Sequence, residues 1–139
     1  MEDPYQLSRF VDAQEHAYDH AIGEVKDGRK RSHWMWFVFP QIEGLGHSSM
    51  ARRYAIASLD EARAYLQHPL LGPRLLECAD ALLGDTEHTA EDIFGATDAM
   101  KLRSSMTLFA HADPGENRFA RVLDRYFEGA EDAETVRRI

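Results

Sequence analysis

Apolar residues recur at three- and four-residue steps along most of the chain, the repeat of helices that bury one face. The first run, Leu7, Phe10, Val11, Ala17, Tyr18, Ala21, Ile22 and Val25, predicts one amphipathic helix of about six turns. Asp3-Pro4 ahead of it reads as an N-cap with proline at the first helical position, and Gly28 as its C-terminal stop. Gln14 falls inside the stripe, which suits either a buried, hydrogen-bonded amide or part of a site wall. Ser32 can then cap a second helix through His33 to Phe39, closed by Pro40. So short an apolar run also suits a buried strand, but nothing else in the chain offers a convincing partner strand.

The pattern continues after a glycine turn. Met50 to Ala57 reads as helix, and Ser58-Leu59-Asp60-Glu61 has the spacing of a capping box opening another, to about Gln67. Leu71, Leu75, Cys78, Ala79 and Leu82 form the next inner stripe, stopped by Gly84. Thr89 to Phe94 is a short helix with Gly95 behind it, and Thr97 caps a longer one from Asp98 to Ala110. Asp113-Pro114 repeats the cap-plus-proline signal before Phe119, Val122, Leu123, Tyr126 and Phe127, which Gly129 ends. Asp132 to Arg138 is a last short helix. The expectation is a single all-α domain over residues 1–139, a compact orthogonal bundle of about seven to eight helices.

Composition agrees with one folded unit. The chain has 139 residues, 44% of them hydrophobic, enough to bury about two-thirds of the unfolded surface. Its longest unbroken apolar run, Trp34 to Phe39, falls far short of the roughly 20 residues of a membrane span. The acidic start, Met1-Glu2-Asp3-Pro4, lacks the apolar segment of a signal peptide. A lone cysteine, Cys78, excludes an internal disulfide and a Cys-based zinc site; it sits on an apolar stripe as core, and a cytoplasmic location is expected.

Charge changes the picture. The net charge is −8, but residues 26–54 carry six bases (Lys26, Arg29, Lys30, Arg31, Arg52, Arg53) against Asp27 and Glu43, and Lys101 and Arg103 form a second basic island. Overall acidity argues against long nucleic acid, whose binding needs phosphate neutralisation, while a local island can hold a small anion.

Three segments could carry chemistry. In Arg29 to Gln41, six contiguous large apolar residues cannot all face one core, so the helix is central or one side lines a pocket; Trp34 and Trp36, two apart, point in different directions. Gly44-Leu45-Gly46-His47-Ser48 ahead of a helix offers backbone N–H groups to an anion, or is simply a glycine turn with a serine cap. It matches neither the Walker A pattern nor a dinucleotide fingerprint. Lys101, Ser104 and Ser105 share one helix side and could hold a phosphate or carboxylate, unless Asp98 simply pairs with Lys101. His16 and His20 stand four apart, but Glu15 precedes the first, so no metal site is expected. His33 and Glu43 are the candidates for proton transfer.

Gly28 to Lys30, the tract His33-Trp34-Met35-Trp36-Phe37-Val38-Phe39-Pro40-Gln41, Gly44-Leu45-Gly46, Tyr54, Tyr65 to Gly72 and Lys101 to Phe109 together resemble the uncharacterised bacterial domain-of-unknown-function family 1810. The resemblance covers nearly the whole chain. It implies a compact, all-helical domain and no established activity.

The reading that follows is a helical protein with one pocket, walled by His33, Trp34, Trp36, Gln41 and the Gly44–Ser48 turn, and edged by Lys30, Lys101, Ser104 and Ser105. Its ligand would be a small anionic or nucleotide-like molecule, with no cofactor and no metal. The alternative is a protein-interaction module presenting an exposed Trp/Phe patch. The first reading requires the two basic islands to meet in space.

Overall fold

Asp3 gathers the first turn of the chain, its carboxylate accepting the Leu7 N–H at 2.7 Å and the Ser8 N–H at 3.0 Å. In the computed structural model, which describes residues 3–139, helix α1 therefore begins at Ser8, a turn beyond the Asp3-Pro4 signal, and runs Ser8–Gln14. The six-turn helix expected from the stripe is broken at residues 15–17, and α2 spans Tyr18–Asp27. The two halves dock on different partners, α1 against α3 and α2 against α6, and one straight helix could not follow both. Gly28 closes α2 as expected, in a left-handed turn with φ 75°. A side chain there would also collide with the His88 ring, whose Nδ1 lies 2.6 Å from the position of its Cβ.

The segment after Gly28 departs from expectation. Only Met35–Val38 is helical (α3), and Ser32 does not cap it; the Ser32 hydroxyl donates to Glu24 Oε2 at 2.6 Å. Ser48 caps α4 (Ser49–Arg53), and Ser58 caps α5 (Leu59–Gln67) by accepting the Glu61 N–H at 3.1 Å. The Glu61 carboxylate completes no capping box. It accepts the Ala57 N–H and pairs with Arg9 at 2.8 Å. Helix α6 runs Leu71–Gly84, α7 Ala90–Ala112, α8 Arg118–Phe127 and α9 Ala133–Arg138. Thr89 and Asp92 form the capping box of α7. Gly95, with φ 79° and ψ 166°, is not helical, so the span is two helices meeting at a kink, the division expected at this glycine. Asp113-Pro114 stands in the turn before α8, which starts four residues beyond Pro114.

The chain is thus an all-α bundle with α7 at its centre, packed against α5, α8 and α9. Residues 104–109 are all buried, the all-round burial expected of a central helix. Phe10, Tyr65, Phe109 and Phe119 form a chain of touching rings 5.1–5.8 Å apart, Phe10 meeting Tyr65 edge-on. A second cluster joins Trp34, Phe39 and Phe94. No described helix is long and apolar enough to cross a membrane.

Candidate functional site

After Pro40 the chain runs beside residue 56 for one step. Ile56 N–H donates to the Gln41 carbonyl at 2.9 Å and Glu43 N–H to the Ile56 carbonyl at 2.8 Å, making a single parallel bridge between Ile42 and Ile56. This fixes the backbone of Gln41 to Glu43 without a strand. Gly44 then turns with φ 96°, and Gly46 passes so close to α4 that its Cβ would stand 2.6 Å from that of Ala51. Bare peptide is required at both points. Between this loop, the partly exposed face of Trp36, Tyr54 and Arg52 lies a cavity of about 70 Å³, whose wall also includes Gln41, Glu43, Gly44 and Gly46.

A second cation reaches the loop from the far end of the chain. The Arg138 guanidinium of α9 occupies the space where a Gly44 side chain would be. It is only loosely held by Glu134, at 3.9 Å. Arg52 and Glu43 have no ion-pair partner among the described residues, although both line the cavity. Arg9 behaves differently. Its guanidinium donates to the carbonyls of Tyr5, Gln6, Arg53 and Ala55 and to Glu61, so it is spent on holding the chain together.

The predicted site residues divide into two groups. Trp36, Gln41, Glu43, Gly44 and Gly46 come together on the cavity wall. Lys30 and Lys101 do meet, but on a shared carboxylate: Asp98 lies 3.0 Å from the first and 3.4 Å from the second. Lys30 also donates to the Ser32 carbonyl, so neither lysine edges the cavity. Lys101 stands over the Trp36 ring at 5.3 Å and touches the site through it.

The remaining expectations are corrected. Trp34 is 1% exposed and walls no pocket; its indole N–H donates to Glu24 at 2.9 Å. His33 is exposed and outside the cavity wall. The Ser48 hydroxyl is used as the α4 cap and lies off that wall. Ser104 faces α9, donating to Asp132 Oδ2 at 3.0 Å. Ser105 is fully buried, its hydroxyl without a partner. An exposed Trp/Phe patch is not formed, because Trp34, Phe37 and Phe39 are buried and the large apolar side chains exposed among the described residues are Met100 and Val136.

Sequence reasoning passed over Arg52, Tyr54 and Arg138. Arg52 lay in plain view in the first basic island, but no local signal tied Arg138 to the glycine turn. Glu24 was missed as well. It is a carboxylate on the buried side of α2, between Ala21 and Val25 in the stripe, and it accepts hydrogen bonds from the N–H groups of Arg31 and Ser32, the Ser32 hydroxyl and the Trp34 indole. Burial pushes its carboxyl up, but those four donors outweigh burial and hold it at about 2.

Other polar groups of the interior are structural. Gln14 is buried and donates to the Phe37 carbonyl at 2.7 Å and the Tyr65 hydroxyl at 3.1 Å. Burial pushes the Cys78 thiol up to about 12, where it is no nucleophile. His16 and His20 are exposed, and among the described residues no group of three His, Cys, Asp or Glu side chains is placed to hold a metal. Chemically, the cavity offers the Arg52 guanidinium, glycine backbone, the Gln41 amide, an indole face and the Glu43 carboxylate.

No curated protein matches the chain. Among solved structures, the crystal structure of the conserved hypothetical protein Rv1873 from Mycobacterium tuberculosis is 52% identical, with a TM-score of 0.95 over 97% of this chain and 96% of that one. A family model described as a protein of unknown function, DUF1810, matches residues 4–139. From Pro4 to its last residue, therefore, the chain belongs to the DUF1810 family.

Proposed function

We propose that the protein binds the anionic end of a small molecule in the cavity between Trp36 and the Gly44–Gly46 loop. One observation carries the reading: Arg52, with no ion-pair partner among the described residues, lines a small cavity together with the partly exposed Trp36 and the two glycines of the loop, Gly44 and Gly46, while Arg138 packs against Gly44 beside it. Guanidinium groups pair with planar carboxylates and with phosphates, and a partly exposed indole gives the attached atoms a flat wall. The size limits the ligand. A cavity of 150 Å³ takes a benzene ring, so about 70 Å³ admits a carboxylate or phosphate group and its nearest atoms. The rings of a nucleotide would lie outside, in the open cleft that continues past Arg52 and Glu43 toward Tyr5 and Arg53. A cytoplasmic location accords with a single, unpaired, buried cysteine.

The test is a titration with inorganic phosphate, small carboxylates, nucleotides and nucleotide-sugars, followed by thermal melting and tryptophan fluorescence. A ligand at 100 times its dissociation constant stabilises the fold by about 2.7 kcal/mol, a plain melting shift. The expected result is a saturable shift that Arg52→Ala abolishes, and a fluorescence change that Trp36→Phe removes while Trp34→Phe keeps it. No response to any anion in the panel refutes the reading.

A further inference from the structure

The cavity wall carries both signs of charge, and they are not paired with each other. Arg52 stands at the last turn of α4 and Glu43 follows the bridge at Ile42. Both line the small cavity, and both also line the open cleft beside it, so the two side chains stand at the partition between the spaces. Their backbones are fixed, Glu43 by its N–H bond to Ile56 and α4 by the Ser48 cap, while neither side chain makes an ion pair among the described residues. A ligand that is only an anion would satisfy Arg52 and leave Glu43, on the same wall of a space of about 70 Å³, with no positive charge to meet. Like charges brought so close repel strongly. The arrangement fits a ligand carrying its own positive group beside its negative one.

Resting on the anion-binding reading above, we propose that the cavity selects a small zwitterion: the end group of an α-amino acid, with its carboxylate on Arg52 and its ammonium on Glu43. The five heavy atoms of that group suit a cavity smaller than one that holds a six-membered ring. The amino acid's side chain would extend into the open cleft lined by Tyr5, Gln6 and Arg53. Nothing in this recognition needs a covalent step.

The experiment compares alanine, propionate, ethylamine and inorganic phosphate by isothermal titration on the full chain. The proposal expects alanine to bind at least about tenfold tighter than propionate, and ethylamine not to bind. In Glu43→Gln the preference for alanine over propionate is lost while propionate binding persists or improves; in Arg52→Gln both fail. Glu43 is exposed, so the variant should fold, and an unchanged far-ultraviolet dichroism spectrum checks it. Propionate or phosphate binding as tightly as alanine, or an unchanged preference in Glu43→Gln, overturns the zwitterion and leaves the anion site standing. No binding by any of the four overturns the zwitterion, and failure of the wider anion panel overturns the site as well.

Discussion

Glu24 shows how one residue can account for a sequence tract that looks like a binding site. Its four hydrogen bonds tie α2 to Ser32 and Trp34, so Trp34 and Ser32 serve packing. The ordinary carboxyl value of 4.5 is lowered to about 2 in the fold. A group depressed in this way adds stability above its unfolded value and loses it as pH falls toward the folded one. The loss should run from about pH 4.5 down to about pH 2, and amounts to roughly 3 kcal/mol. Asp3, Asp85 and Asp92 are also lowered, each accepting backbone N–H bonds, and steepen the same acid arm. Glu24→Gln should therefore cost on the order of 2–3 kcal/mol at pH 7 in urea unfolding, and less at pH 3. An equal cost at both pH values would show that the charge is not what holds the tract. Of the candidate residues, those whose function depends on backbone shape, Gly44 and Gly46, were legible from the glycine turn itself. Those whose role depends on which way a side chain turns were not. Trp34 and Trp36 carry the same local signal, and only the position of Glu24 separates the buried ring from the partly buried one.

At the scale of elements, the helices were legible where caps and glycines mark them and illegible where docking overrides the period. Ser58, Gly28 and Thr89 stand where the pattern places them. The break at residues 15–17 has no signal in the stripe, because α1 and α2 diverge to meet α3 and α6. Gly95 has the opposite status: the sequence marks a helix end there, and the structure has it, with two helices meeting at a kink within the span of α7. Its φ of 79° with ψ of 166° belongs to a region open essentially to glycine alone, while nothing lies within 4 Å of a Cβ placed there. Gly95→Ala should thus cost about 1–3 kcal/mol through backbone strain alone. Thermal melting checks it, and an unchanged melting temperature would mean that the two parts of α7 can realign without loss. The other element whose role could not be read locally is α9. Ser104, Thr107 and Arg103 on α7 hold its start through Asp132 and the carbonyls of Ala130 and Glu131, so the third chemical segment of the sequence is a mount for the C-terminal helix.

Across the whole molecule, an acidic protein of net charge −8 places Arg52 and Arg138 beside one loop. The long-range field opposes an incoming anion, and only the last few ångströms, inside the Debye length, favour it. Added salt should weaken both effects, so affinity at the cavity is set by contact geometry. That geometry joins residue 44 to residue 138, far apart in the sequence. Contacts between such distant residues carry a large loop-closure cost and form late in folding. The helices can therefore assemble before the loop acquires its second arginine. In refolding from urea, the far-ultraviolet dichroism of the helices should recover ahead of the ability to bind ligand, and Arg138→Ala should weaken the binding finally reached while leaving helix formation at its normal rate. Equal rates in the native chain would show that the loop is shaped without its distant partner. If the delay is found, the refolding chain passes through an interval in which it is folded but still empty-handed, and competence arrives only when α9 brings Arg138 to the loop.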